Sequence, residues 1–506
     1  QSATGSDQYR TLAYGRLTKS TRTLELPNGL VYHFDHYVTG DIWDVTEVTD
    51  QYGNTLSFSY ADGITTIVQS VSGSSRVVVY DGNTKTLSWN GRTWVYQYDS
   101  NGLTAVVPPA GPPWQFSYGT YPAGTSPITY GRRISVTTAN GGKVQYDVES
   151  QVGPGSPDPT YWHWVVRTRS SWDRGGATLG TWTFDYAADG SISSVSGPDG
   201  ISHHYAHTQT DGPGEGGVYA SRVFLTGHQV RQNGATLETT TLTWRWADTD
   251  EVGLPLDISP DGTPSSTFTE AAQPVLPREV SVTRAGSSSS WTTTYIYSET
   301  DGELNDYGQP RQIDETGDFS RSTARTFWSS DAPYIGGVVE TETIGNAFET
   351  VYDRNGQGFV TSRTVYGVPT AYTSDAHGNV ASETDANGHR TTYDYSWGEV
   401  SGVHAPEHTA LREINPGGTV HWERRGLYQR EFEYDDLGRE TNHGLRDLAN
   451  GSAFIGNDTA TSYAPDGSSV HSSRGASWTT TFLDGFGRPV GTENAVGVKT
   501  RLAYTA

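Results

Sequence analysis

Tyr352-Asp353-Arg354-Asn355-Gly356 opens the stretch that decides the fold. A strand-like run follows it, then Ser374-Asp375-Ala376-His377-Gly378-Asn379-Val380, Asp385-Ala386-Asn387-Gly388, Tyr393-Asp394-Tyr395 and Gly398. Each unit is an extended segment of alternating Tyr and Thr, closed by Asp or Asn a few residues ahead of a Gly. Asp and Asn bond their own backbone in turns, and Gly takes the positive φ that a tight reversal needs. The stretch therefore reads as strand, turn, strand, turn, with Gly356 expected at positive φ.

The same cadence runs outward through the chain. Phe432-Glu433-Tyr434-Asp435-Asp436-Leu437-Gly438-Arg439 is a close copy, with Gly438 also expected at positive φ. Further copies are Tyr98-Asp99-Ser100-Asn101-Gly102, Tyr186-Ala187-Ala188-Asp189-Gly190, Tyr463-Ala464-Pro465-Asp466-Gly467 and Phe482-Leu483-Asp484-Gly485-Phe486-Gly487-Arg488. Gly82 to Gly102, Gly378 to Gly398 and Gly467 to Gly487 keep a spacing of roughly 20 residues, and a fixed period marks repeat architecture. In these motifs the chain resembles the YD-repeat, or RHS-repeat, family. The resemblance is closest over residues 336–506, extends over 26–205 and is thinner between. Arg439, Arg488 and Asn379 stand just after the turn Gly, as in the family pattern.

Composition sets the limits. Tyr (30), Trp (15) and Phe (14) carry packing that Leu and Ile would carry elsewhere, which suits half-buried sheet faces. The net charge of -23 comes from 57 acids against 34 bases, with no basic stripe, and this argues against nucleic acid as a partner. With no Cys there is neither a disulfide nor thiolate chemistry. Lack of Cys and Met suits a secreted or cell-surface setting. Without Met the chain does not begin at a translation start, and Ala506 falls within a repeat, so the expectation is a piece of a longer protein. No apolar run is long enough for a membrane-spanning helix.

In order, residues 1–25 read as a polar edge segment, 26–205 as a lead-in region with the first YD-like repeats, 206–335 as divergent strands, and 336–506 as regular repeats. The prolines of Pro108-Pro109-Ala110-Gly111-Pro112-Pro113 have no amide hydrogens for a ladder, so this stretch reads as a crossing between strands. Residues 151–160 and 212–217 read as loops, and Phe268 to Ala272 is too short for a helix.

Candidate chemistry is sparse. Gly212-Pro213-Gly214-Glu215-Gly216-Gly217 matches a phosphate-cradle pattern formally but lacks the helix that pattern requires. His203 and His207 share a strand face with Tyr205 between them, too far apart for one ion without a neighbouring strand. Pro406 makes His404-Ala405-Pro406-Glu407-His408 a loop. Asp248-Thr249-Asp250-Glu251-Val252-Gly253 starts like a calcium loop, but Ser259 stands where the closing Glu belongs, leaving room only for weak calcium binding. No Gly-x-Ser-x-Gly elbow is present. Carboxylate pairs of glycosidase type arise by chance among 57 acids. Tyr352, Tyr372, Tyr393, Tyr395 and Tyr434 read as cross-strand packing partners in preference to a sugar-stacking platform.

The expected fold is all-β: a long continuous antiparallel sheet of hairpin repeats. The resemblance implies that it spirals into a hollow shell, or part of one, around another part of the polypeptide. The signature residues are Tyr98, Asp99, Gly102, Tyr352, Asp353, Gly356, Gly378, Tyr393, Asp394, Tyr395, Gly398, Tyr434, Asp435, Gly438, Arg439, Gly467, Gly487 and Arg488. No catalytic residue, cofactor or metal is expected. The resemblance implies a structural role, sheltering a C-terminal toxin or presenting an adhesive surface. The partners expected are the chain's own flanking segments or a cargo domain, a surface glycan or protein receptor, or a second copy through sheet edges. The alternative is an extracellular adhesion, glycan-binding or filament-forming repeat protein without cargo. A β-scaffold glycosidase or lyase is the third class.

Overall fold

The computed structural model describes residues 8–10, 15–40, 42–71, 74–121, 131–152, 162–187, 190–210, 222–246, 275–284, 290–297, 299–300, 303–304, 309–345 and 347–504. Among them there is no α-helix, and the one helical turn is a 3₁₀ turn at Leu448–Asn450. One antiparallel sheet takes in 41 strands, from Gln8–Arg10 to Lys499–Arg501, nearly all paired in chain order. Two short hairpins stand aside from it. His36–Thr39 with Ile42–Asp44 leaves Val31–His33 to pair with Glu47–Thr49, and Glu299–Thr300 pairs only with Glu303–Leu304. The strands Ile201–Thr210 and Tyr334–Ile344 run across residues 205–206 and 335–336, so the ladder is unbroken there.

The sheet is a single layer. Every strand pair in substantial contact is a ladder pair, and the buried apolar side chains among the described residues are Ala105, Val165, Tyr297, Tyr334, Ile335 and Ile414. Strands such as Arg390–Ser396 and Glu440–Asp447 are mostly half-buried on both faces. That is why aromatic and Thr side chains dominate: each strand is stabilised by cross-strand pairs on both faces instead of by a shared core.

Two kinds of reversal recur in the regular repeats. At 375–379, Gly378 N–H donates to the Asp375 carbonyl (3.3 Å) and Asp375 N–H donates to the Asn379 carbonyl (2.9 Å), with Gly378 at φ 84°. This is a type I turn followed by a left-handed glycine, whose twist matches that of the strands. The same pair of bonds closes 355–359, 385–389, 415–419, 435–439, 484–488 and 494–498. Other reversals are two-residue turns with both residues at positive φ, as at Tyr366 (54°) and Gly367 (74°), or Trp397 (56°) and Gly398 (81°).

The register corrects one expectation. Gly356 is not at positive φ; Gly358 is, at 82°. The cap is Asn355, whose Oδ1 accepts the N–H groups of Gln357 and Phe359, so the left-handed position comes two residues later than the Tyr352-Asp353 motif suggests. A Cβ at Gly356 would meet open space, whereas one at Gly358 would lie 2.8 Å from Ile335 Cδ1. Gly358→Val should therefore lower the unfolding midpoint by the equivalent of about 1–3 kcal/mol, and Gly356→Val by far less. Equal effects in thermal denaturation would refute this register.

The tyrosines solve a problem the bulges create. Where the register slips, a carbonyl leaves the ladder, and an unpaired carbonyl in a half-buried wall is costly. At the slip between Glu413 and Ile414 the carbonyl is that of Val420, and Tyr434 Oη donates to it at 2.8 Å. Tyr395 serves Val380 (3.0 Å), Tyr463 serves Glu440 (3.0 Å), Tyr504 serves Pro489 (2.7 Å), Tyr118 serves Leu103 (3.0 Å) and Tyr186 serves Val166 (2.8 Å). Each acceptor lies at a slip of its own strand pair. Trp244 Nε1 does the same for Leu225 at 2.6 Å. Burial raises the pKa of Tyr186, Tyr395, Tyr434 and Tyr463, which keeps these phenols protonated as donors. Tyr434→Phe should cost about 1–3 kcal/mol, the penalty for an orphaned carbonyl. Tyr393→Phe, which loses only a 3.3 Å bond to Glu383, should cost less in the same denaturation assay.

Candidate functional site

The ribbon coils until its margins meet. Reversals fall alternately on the two margins, and the margin bearing residues 26–29, 50–54, 90–91, 138–142 and 173–177 lies against the opposite margin of the next coil, bearing 331–336, 355–359, 375–379, 415–419, 435–439, 464–468 and 484–488. The hydrogen bonds across this seam join residues between 292 and 347 positions apart. Such a span holds roughly two dozen strands, which at ~4.8 Å each gives a circumference of roughly 115 Å and a mean diameter of about 35 Å.

Polar atoms stitch the seam. Gly336 N–H donates to the Pro27 carbonyl at 2.9 Å, and Asn28 bridges Ile335. Arg16 Nη2 donates to the Asp331 carbonyl at 2.9 Å, with its guanidinium 3.7 Å from the Tyr334 ring centroid. Asn54 Nδ2 donates to the His377 carbonyl and its Oδ1 meets His377 Nδ1, both at 2.9 Å. Arg76 donates to the carbonyls of Pro416 (2.9 Å) and Trp397 (2.7 Å). Arg174 pairs with Asp466 at 3.0 Å.

At Gly485 backbone meets backbone. Its N–H donates to Asp173 Oδ1 at 2.6 Å, and its carbonyl accepts from Gly142 N–H at 2.8 Å and Thr138 Oγ1 at 2.5 Å. A Cβ here would stand 2.5 Å from the Gly142 Cα and N and 2.7 Å from Arg174 N. Gly485 is thus required by close approach, while its neighbour Gly487 is required by φ 78°. Gly378 and Gly438 carry both constraints. Each has positive φ, and each would drive a Cβ into the facing coil, Gly378 into the Tyr52 ring and Gly438 to 3.1 Å from Arg92 Nη1. Gly467 likewise faces Asn140 at 2.8 Å.

The turn acids hold these sockets in shape. Asp435 Oδ1 accepts the N–H groups of Leu437 and Arg439 (both 2.9 Å), and Oδ2 accepts Arg439 Nε (2.8 Å). Asp484 repeats this with Phe486 and Arg488, and Asp375 with His377 and Asn379. The residue after the turn Gly thus returns to the acid that begins the turn. Burial pushes these carboxyls up, but the turn amides and the returning side chain more than offset it. The pKa values of Asp375, Asp435 and Asp484 lie below the ordinary range.

Other signature positions do different work. Asp99 caps Asn101 N–H at 2.7 Å, and Gly102, at φ 133°, lies against the Tyr118 ring. Tyr352 lies under the Arg354 guanidinium (5.4 Å), and Asp353 is a strand residue. Asp394 is also a strand residue, bonded to His404 Nε2 at 2.7 Å, and the adjoining turn Gly398 has Trp397 beside it. His203 finds its neighbour on the next strand: its Nδ1 is 2.9 Å from His228 Nε2, while a register slip separates Ala206 from His207. Among the described residues no group of three His, Asp or Glu could hold a metal ion. The 108–113 crossing joins Gly102–Val107 to Trp114–Tyr121 as expected. The loop reading of 151–160 is corrected at its start, because Gln151 and Val152 end the strand Lys143–Val152 and pair with His163 and Trp162; residues 153–160, 212–217, 248–259 and 268–272, with their loop, phosphate-cradle, calcium-type and short-helix readings, lie outside the described residues.

Comparison with known proteins matches residues 375–410 to the family model described as RHS Repeat. No curated protein matches the chain. Among solved structures, the Photorhabdus luminescens Tc holotoxin pore with a TccC3 mutation is 12% identical with a TM-score of 0.40, covering 92% of this chain and 24% of that one. The TcdB2-TccC3-TEV crystal structure is 12% identical with a TM-score of 0.39, covering 94% and 24%. A porin-like protein from Bacteroides uniformis is 10% identical with a TM-score of 0.18, covering 60% and 97%. The chain spans about a quarter of the Tc structures it matches.

Proposed function

We propose, from the premise that this is an RHS-repeat chain, that it forms the wall of a hollow shell that shelters another part of its own polypeptide, such as a C-terminal toxin domain. The observation that carries this reading is the seam. A single-layer sheet that closes coil upon coil encloses space, and a wall about 35 Å across leaves room for other polypeptide within it. We assign the chain no reaction and no cofactor of its own. The acids nearest to a chemical arrangement, Asp375, Asp435 and Asp484, spend their oxygens on turn amides. We place the protein outside the cell, where a wall without Cys needs no redox protection.

The test is protease protection in the full natural protein, read by peptide mapping of the polypeptide that flanks this chain. Flanking polypeptide should resist digestion in the wild type and become sensitive when the seam is opened by Gly485→Val. Equal digestion in both would sink the shelter reading.

A further inference from the structure

His203 lies inside the ladder, on the strand Ile201–Thr210, with Ile192–Ser196 paired on one side and Arg222–Gln232 on the other. Its Nδ1 is 2.9 Å from His228 Nε2 on the latter strand, and the two ring planes are 2° from parallel. That is the geometry of a single N–H···N bond, in which one ring gives its proton and the other a lone pair. Tyr205 covers the His228 ring, with centroids 4.9 Å apart. Other imidazoles of the wall have partners of the opposite kind. His36, His389, His404, His421 and His443 each face a carboxylate, whereas His203 faces a second base.

Little charge stands near the pair to absorb a proton. Val195 lies beside His203 on one neighbouring strand and Val230 opposite it on the other. Farther across the same face, Ala235–Trp246 brings Thr240 beside His228 and Glu238 beside Val230. Glu238 is itself held by Arg284 of Val275–Arg284, at 3.1 Å. On its own strand His207 follows Tyr205 past a register slip, and Asp199 in the preceding turn accepts the Ile201 N–H at 3.0 Å. His204 belongs to the opposite face, where it is bonded to Ser202 (3.0 Å).

We propose that His203 and His228 form an acid-released clasp in the wall: the two rings share a first added proton, and a second, taken up in mild acid, makes donors of both facing nitrogens and parts the strands around them. Burial foremost, then the neighbouring His203, hold the His228 pKa below its ordinary value, against the pull of Glu238. A group with a depressed folded pKa contributes stability that is whole above the unfolded pKa, about 6.5 for an imidazole, and lost as pH falls through the folded one. The clasp is therefore closed at about pH 7.5 and begins to open below about pH 6.5, well above the window in which the turn carboxyls let go. A single-layer ribbon opens in parts, so the release is local and leaves the melting of the whole wall to those carboxyls.

Hydrogen exchange on the whole chain, corrected for the intrinsic rate at each pH, tests the inference. Between about pH 7.5 and about pH 5.5 amide protection in 201–208 and 224–232 should fall at least ~10-fold, because two unit charges this close repel appreciably even in water. Protection in 390–404, which holds the His404–Asp394 pair, should not change. His203→Asn places an amide at the Nδ1 position and His228→Gln places one at the Nε2 position. An amide both donates and accepts but does not titrate, so each variant should match the wild type at the higher pH and lose the response to acid. Unchanged protection at the lower pH, a fall shared equally by 390–404, or variants that keep the wild-type response would overturn it.

Discussion

Gly485→Val is expected to open the seam while leaving the sheet ladder intact, with the largest loss of stability of any single glycine substitution considered. The built Cβ meets backbone on two sides, Gly142 and Arg174, and backbone cannot step aside as a flexible side chain can. Three hydrogen bonds converge on the same residue, from Gly142, Thr138 and to Asp173. Overpacking alone costs about 1–3 kcal/mol, and the stranded polar groups add about 1–3 kcal/mol more. Gly388→Val supplies the control, because Gly388 shares the turn geometry at φ 86° but faces open space. Its cost should be about 1–2 kcal/mol of backbone strain alone. Gly142→Val attacks the same contact from the other coil, so the double variant should fall short of the sum. The readouts are the melting temperature and protease cleavage within 138–142 and 484–488. If Gly485→Val cost no more than Gly388→Val, the coils would not be joined there.

The ladder was legible in the sequence because its cause is local. Asp or Asn ahead of Gly sets each turn, period-2 alternation sets each strand, and nearly every strand pairs with its chain neighbour, so no long-range information was needed. Even the miss at Gly356 was local: two glycines follow Asn355, and only the cap decides which is left-handed. The seam was not legible. Asn54 meets His377 and Arg174 meets Asp466 across some 300 residues, and nothing in either segment names its partner. The tyrosines fall between these cases. Their regular place before the turns suggested packing, but the hydrogen bond to a bulge carbonyl depends on a register slip that strand propensity does not reveal. One signal was available for the seam. In Asp484-Gly485-Phe486-Gly487 a single glycine satisfies the turn, so the second needed another reason, and close approach of backbone is the usual one.

Acid should loosen this protein through the same turns, with Asp484 as the leading group. Its side chain is 3% exposed, and it holds two turn amides and the Arg488 guanidinium beside the seam. Burial works against its ionisation, but those donors outweigh burial and hold its pKa below the unfolded value of about 3.9. A carboxyl with a depressed folded pKa contributes stability that is fully present above the unfolded pKa and is lost as pH falls through the folded one. Asp375 and Asp435 shift in the same direction, so the losses accumulate in one window. The melting temperature should accordingly stay level from about pH 7 to about pH 5 and drop steeply below about pH 4. Asp484→Asn imitates the protonated acid, keeping an amide acceptor while losing the charge that Arg488 pairs with. At pH 7 it should cost about 2–4 kcal/mol, the value of charge-assisted bonds left unmade in a buried place. The gap between wild type and variant should then narrow as the pH falls below about 4, because the unfolded wild type takes up a proton that the folded Asp484 resists. A gap that stayed constant from about pH 7 to about pH 3 would show that the Asp484 carboxylate gains nothing from its donors in the folded wall. The joint of turn and seam would then rest on the backbone bonds of Gly485 alone.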